Sequence, residues 1–237
     1  MLTPRLRWLL SLLALSLWLA VRLFPESNRM TRSMGLFLFA AVWIGLIALF
    51  WKWRSWRLAL LGVSAAGALF LAWPSRISPQ PDTLRAAYLH ALARYDGTHY
   101  SWGGESPKGI DCSGLMRRGM IDGLFIEGCR RLNPALVRQS LDLWWHDCTA
   151  RELKDGYYNL TAPVLTTPSL NALNHSRIRA GDMAVTNSGV HVMVYVGDNR
   201  WIEADPGVGR VVILTVPDPR KLWLSGPMKI VRWRVLE

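Results

Sequence analysis

Three long apolar runs, residues 8–24, 35–50 and 58–73, occupy the first third of this 237-residue chain and limit what it can fold into. Each is close to the roughly 17–25 residues that a membrane-spanning helix needs. Seven of the 13 tryptophans lie in this third (Trp8, Trp18, Trp43, Trp51, Trp53, Trp56, Trp73), and with nearby arginines they give the runs ends of the interfacial kind. The pattern predicts three transmembrane helices. A cleaved leader competes for the first run, because Arg5 and Arg7 precede it. Arg22, Phe24 and Pro25 stand where a small-x-small cleavage site would be needed, so an anchor is the stronger reading. Gly62, Ser64, Ala65, Ala66 and Gly67 suit the third run to close helix packing. The second and third runs are short, and a hairpin that does not fully cross is the alternative for two of the three.

With the N-terminus inside, Arg5, Arg7, Lys52, Arg54 and Arg57 face the cytoplasm, against Arg22, Arg29, Arg32 and Arg76 outside. This narrow majority, with an odd number of spans, places the C-terminal part outside the cytoplasm. The formal charge of +11 has the same origin: the first 80 residues carry nine basic side chains against one acidic, the remainder 19 against 16. No Lys/Arg cluster with interleaved aromatics occurs beyond the apolar runs, which argues against nucleic acid as a partner.

Residues 74–81, rich in proline, form a semi-rigid spacer between an anchor (1–73) and a soluble domain (82–237). Leu84, Ala87, Tyr88, Ala91 and Tyr95 recur at helical spacing, with Gly97 as a C-terminal stop. A second helix starts near Asp111 or Cys112, followed by Leu115, Met116, Gly119, Met120 and Gly123 on one face. Cys112 thus falls in a first turn, where unpaired N–H groups and the helix dipole favour thiolate, the nucleophilic form. A small buried hydrophobe is the commoner fate of a lone cysteine, and spacing alone leaves both open.

Residues 127–176 carry little pattern beyond a helix at 136–145; Pro163, Pro168 and the Thr/Asn/Ser-rich run to Asn174 read as loop, and Trp144-Trp145 as packing. Five short Val/Ile-rich segments follow at 183–186, 191–196, 201–204, 211–215 and 229–235, an antiparallel meander. Helices first and strands after make the fold α+β. Cys129 and Cys148 form a possible disulfide pair in an oxidising compartment. Of the histidines, His90, His146 and His175 suit surface or core roles, His99 lies near Cys112 in sequence, and His191 heads an apolar strand.

The segments Gly97-Thr-His-Tyr-Ser-Trp-Gly-Gly, Gly109-Ile-Asp-Cys-Ser-Gly-Leu, Ala180-Gly-Asp-Met-Ala-Val and His191-Val-Met-Val-Tyr-Val-Gly, in this order, resemble the NlpC-type family of papain-like cell-wall cysteine peptidases. The resemblance covers residues 82–204, with the 127–176 stretch as an insert. It implies a nucleophilic Cys112 at the head of a helix packed on a small sheet, and His191 as general base. By spacing, the residue that orients the imidazole falls on Glu203, where the family usually carries His, Asn or Gln. A turn over residues 196–200 would set Asp205 directly opposite His191 and Glu203 diagonal to it, so either carboxylate fits. Met193 replaces a usual glycine and is expected to narrow the cleft. The resemblance also assigns Tyr100, Asp111 and Ser113 to substrate binding, although Asp111 equally suits a helix N-cap.

These parts imply thiolate attack on an amide carbonyl, an oxyanion held by backbone N–H groups at the helix start, and hydrolysis of a thioester by water. The implied substrate is a peptidoglycan stem peptide, cut at a D-glutamyl to diamino-acid bond or at the sugar-to-peptide amide. Beyond peptidoglycan and the lipid bilayer the sequence points to no partner, and it implies no cofactor and no metal, since His and Cys lack ligand spacing. Three alternatives stay open: a papain-like acyltransferase or hydrolase acting on lipid, an antibacterial amidase toxin, and a non-catalytic wall-binding module.

Overall fold

A computed structural model of the chain describes residues 4–21, 27–75 and 80–237. The end of the first apolar run, the Arg22 to Pro25 stretch and the middle of the Pro-rich spacer, residues 76–79, lie outside these residues. Helices α1 (Pro4–Val21), α2 (Arg29–Leu49) and α3 (Arg54–Ala72) form the N-terminal part. Asn28 and Thr31 open α2 with a reciprocal capping box. Trp18 of α1 meets Phe39 of α2 at 6.3 Å between ring centroids, and Trp43 Nε1 donates to Ser64 Oγ of α3 at 2.9 Å.

Where the sequence suggests three spans, only α2 and α3 among the described residues are long and apolar enough to cross a membrane. The apolar part of α1 is Ser11–Val21. At about 1.5 Å per residue it reaches roughly 16 Å, half of a hydrocarbon core of about 30 Å.

The remainder is an α+β unit. It comprises α4 (Pro81–Ala93), a small hairpin of β1 (Glu105–Ser106) and β2 (Gly109–Ile110), α5 (Cys112–Arg130), α6 (Pro134–Trp145), α7 (Ala150–Lys154), and the strands β3 (Thr161–Thr167), β4 (Met183–Thr186), β5 (Val192–Gly197), β6 (Arg200–Asp205), β7 (Arg210–Thr215) and β8 (Met228–Trp233). The six larger strands make one antiparallel sheet in the order β3-β8-β4-β5-β6-β7. The expected meander covers β4 to β7 only; β8 returns between β3 and β4. Strand β3 corrects the loop expected around Pro163. It lies at the sheet edge with a register shift between Pro163 and Leu165, the setting in which a proline lacking an N–H is tolerated.

Helix α5 is buried around most of its circumference. Glycines let its neighbours approach: a Cβ on Gly123 would sit 3.1 Å from the backbone nitrogen of Tyr88 in α4. Leu84, Tyr88, Leu115, Met116 and Met120 pack there against Val192, Val194, Ile202 and Ala204 on one sheet face. The other face carries Met193, Tyr195 and Trp201 and is covered by loop residues Leu170, Val216 and Leu224. Met193 is fully buried in that second layer and is not among the residues that line the cleft, contrary to expectation.

Asp182, 1 % exposed, holds β4 to β8 through a two-pronged pair with Arg232, Oδ1 to Nε at 2.6 Å and Oδ2 to a terminal nitrogen at 2.7 Å. Removing one partner strands the other, so Asp182→Asn is expected to destabilise the fold by about 3–5 kcal/mol. Urea denaturation measures this, and an unchanged midpoint would refute the pair's role. Cys129 and Cys148 are free thiols rather than the pair considered from the sequence.

Arg138 of α6 donates to the carbonyls of Leu71 and Trp73, at 2.7 and 2.9 Å, satisfying acceptors that the end of α3 leaves open. A second junction forms at the start of α2, where Ser27 N donates to Gly103 O at 3.1 Å.

Candidate active site

Asp111 caps α5. Its Oδ1 accepts from Gly114 N at 2.6 Å and from the Ser113 hydroxyl at 3.0 Å, and its Oδ2 accepts from Gly103 N at 2.9 Å. The carboxylate thereby fixes both the first turn of α5 and the loop before it. Cys112 follows directly, 7 % exposed, at the bottom of a cleft of about 930 Å³. Tyr100, Asp111 and Ser113, which the family resemblance assigns to substrate binding, line the same cleft. Burial and the negative charges of Cys112 and Asp111 push Tyr100 up to about 12, so its hydroxyl stays protonated and able to donate.

His191 enters from the head of β5. Thr186 Oγ1 accepts from the backbone nitrogens of Val190 and His191, at 3.2 and 3.1 Å, which sets the chain just before the ring. Gly189 has a positive φ of 74°, and a Cβ there would meet Arg151 at 2.8 Å, so the Asn187-Ser-Gly-Val approach needs glycine on both counts. Imidazole Nε2 meets Glu203 Oε2 at 2.5 Å, both side chains 1 % exposed. That leaves Nδ1 for Cys112, whose sulfur lies 4.0 Å from the carbonyl oxygen of Val190, the residue just before His191. Burial works against a charged imidazole, but the bonds and charges of Cys112 and Glu203 outweigh it and push His191 up to about 9.

The ladder pairs Val194 with Ile202 and Tyr195 with Trp201, and extending it sets Asp205 opposite His191, as the turn argument expected. It is nonetheless the diagonal Glu203 that reaches the ring. Asp205 turns to the backbone nitrogens of Gly207 and Val208, at 2.7 and 3.3 Å, and pairs with Lys221 at 3.7 Å. Its carboxylate secures the turn between β6 and β7. The other histidines lie outside the cleft lining: His90 and His99 are exposed, and His175 accepts from Trp201 Nε1.

A family match now joins this geometry. The NlpC/P60 family pattern matches residues 97–219, which hold Cys112, His191 and Glu203. The chain belongs to the NlpC/P60 family. NlpC/P60 proteins are cysteine peptidases and amidases that act on peptidoglycan, and the chain is a hydrolase of that class. Among solved structures it is similar to the P60 domain of an antigen from Mycobacterium avium subspecies paratuberculosis, with 21% identity over 67% of this chain and 99% of the other, at a TM-score of 0.40. It is also similar to the peptidoglycan hydrolase RipB of Mycobacterium tuberculosis, with 21% identity over 75% and 80%, at 0.42. The NlpC/P60 domain of the peptidoglycan hydrolase SagA shares 20% identity over 62% and 97%, at 0.35. No curated protein matches the chain.

Several residues around this NlpC/P60 site left no signal in the sequence. Trp223, from the loop layer under the second sheet face, stacks on His191 with ring centroids 4.4 Å apart and planes 23° apart. Its π face favours the protonated imidazole. Glu105, 6 % exposed, pairs with Arg117 of α5 and Arg32 of α2. Burial pushes its carboxyl up while the two guanidiniums pull against it. The insert contributes Asp147, Cys148, Thr149, Ala150 and Arg151 to the cleft wall. Burial, foremost, pushes the Cys148 thiol up, which marks it as a poor nucleophile beside Cys112.

Proposed function

We propose that the protein is a membrane-anchored cysteine hydrolase that cuts amide bonds in peptidoglycan stem peptides, at the D-glutamyl to diamino-acid bond or at the sugar-to-peptide amide. The observation that carries this reading is that Cys112 and His191 line one cleft, with His191 bonded from behind to the buried Glu203. His191 takes the thiol proton, and the thiolate of Cys112 attacks the carbonyl carbon. The N–H groups at the start of α5, apart from that of Gly114, which Asp111 holds, stabilise the oxyanion. His191 then protonates the departing amine, the C–N bond breaks, and water hydrolyses the thioester to release the acid and restore the thiol. Glu203 holds the ring in place through Nε2 and stabilises its cation, while Tyr100 and Ser113 contact the substrate beside a carboxylate, Asp111, that also caps the helix.

In this reading α2 and α3 cross the cytoplasmic membrane of a bacterium as a hairpin, so the Ser27 end of α2 and the catalytic half share one side. A peptidoglycan substrate places that side outside the cytoplasm. A reporter enzyme fused at the C-terminus tests the orientation, and activity on the cytoplasmic side would remove a cell-wall substrate. The activity itself is tested by incubating the full chain in detergent with purified peptidoglycan and identifying released fragments by mass spectrometry. New amino and carboxyl ends at one of the two bonds are expected. A folded protein that releases nothing would sink the proposal.

A further inference from the structure

We infer that the membrane helix α2 completes the cleft, and that the site takes its peptide from a lipid carrier at the bilayer surface. This rests on the amidase reading above and on α2 and α3 as spans.

Ser27, Asn28 and Arg32 line the cleft together with Cys112 and His191. Arg32 is 4 % exposed. It donates to Ser27 Oγ and O at 2.9 and 3.0 Å, to Glu105 Oε2 at 3.1 Å and to Trp145 O at 3.4 Å, and pairs with Asp147 at 2.7 Å. Its guanidinium also lies 5.9 Å from the ring centre of Trp144. Glu105 links it onward to Arg117, which stands on the same helix as Cys112. The start of α2 is therefore fastened to the loop in front of the thiol and to the insert on the far wall.

The length of α2 sets the depth of this junction. Beyond Arg32 the helix has 17 residues (33–49), about 26 Å at 1.5 Å each, which falls slightly short of a hydrocarbon core of about 30 Å. No part of the helix is spare, so Arg29 and Arg32 sit at the headgroups and the cleft sits with them. Two exposed apolar side chains on the cleft rim fit that depth: Trp102, 81 % exposed and adjacent to the Gly103 that receives the Ser27 bond, and Val190, 59 % exposed. Tryptophan is favoured where apolar and polar phases meet. A cleft fixed at this level reaches an amide only when the substrate is held there. An amphiphile with acyl chains in the bilayer and a peptide headgroup meets that condition.

The test uses the full chain reconstituted in phospholipid vesicles and one stem peptide in several forms: free in solution, and joined to a membrane lipid through a short polar spacer or through one on the order of 50 Å. The spacer series separates depth from simple confinement to one surface. Hydrolysis of the short-spacer form at least about tenfold faster in kcat/KM than both the free and the long-spacer forms is expected. Equal rates for the short and long spacers, or a faster free peptide, would overturn the inference and leave the amidase reading standing. Hydrolysis of none of them by a protein whose Cys112 still reacts with an alkylating agent would overturn the amidase reading and this inference with it.

Discussion

Cys112→Ala is expected to abolish peptidoglycan hydrolysis, and His191→Ala to lower kcat/KM by roughly 10³-fold or more, because nucleophile and base act as a unit. Glu203 separates into two effects. Glu203→Ala should cost roughly 10²–10⁴-fold, the range over which a positioned acid–base group contributes. Glu203→Gln keeps an acceptor for the ring N–H and loses only the charge, so a loss of about tenfold is expected at neutral pH. The pH profile discriminates further. His191 is raised from its ordinary 6.5 to about 9, so it stays protonated below that pH and can supply the proton for the departing amine. Activity should fall as pH rises through about 9, and in Glu203→Gln the fall should begin at lower pH. The same shift acts on stability. Because the folded value lies above the unfolded one, the His191 contribution is complete below pH 6.5 and disappears as pH rises through about 9. Kinetics between pH 6 and 10.5 and thermal melts across the same range check both, and a Glu203→Gln profile superimposable on the wild type would remove Glu203 from the mechanism.

Gly114→Ala is expected to damage both stability and rate without touching a reacting atom. Alanine normally favours a helix over glycine by about 1 kcal/mol. Here its Cβ would lie 2.3 Å from the carbonyl oxygen of Gly104. That carbonyl cannot retreat freely, since it accepts from Asp111 N at 3.0 Å. The first turn of α5 and the Tyr100 to Gly104 loop would have to separate. Overpacking of this kind costs about 1–3 kcal/mol or more, and displacing the nucleophile by about 1 Å costs roughly 10²-fold in rate. The melting temperature should fall by about 5 °C or more, with a matching loss of kcat/KM per folded molecule. A variant as stable and as active as the wild type would refute the close approach.

The residues that chain position can reveal were legible: a cysteine after a capping aspartate, a histidine at the head of an apolar strand, and alternating Val/Ile segments. Signals carried by contact rather than by pattern were not. Arg32 and Glu105 are 73 residues apart, and no local periodicity announces that they meet. Trp223 sits in a stretch rich in Pro, Asp and Arg that gives no hint of stacking on His191. Strand register sets Asp205 opposite the histidine, but the Gly207 and Val208 nitrogens claim its carboxylate, and no sequence pattern announces that. Pro163 read as loop because an edge strand with a register shift tolerates what a central strand does not. The first apolar run read as a span because composition counts greasy residues, whereas among the described residues its apolar helix is only Ser11–Val21.

The contact between Arg32 and Glu105 bears on how this enzyme can be handled. A fragment beginning at Asp82 would retain Cys112, His191 and Glu203, yet lose Ser27, Asn28 and Arg32 from the wall of the groove. Glu105 would keep one guanidinium instead of two, and water would enter beside Arg117 on the nucleophile's own helix. The excised catalytic half would then be a more open and less selective enzyme than the whole chain, and kinetic constants taken from it would describe a groove with one side missing.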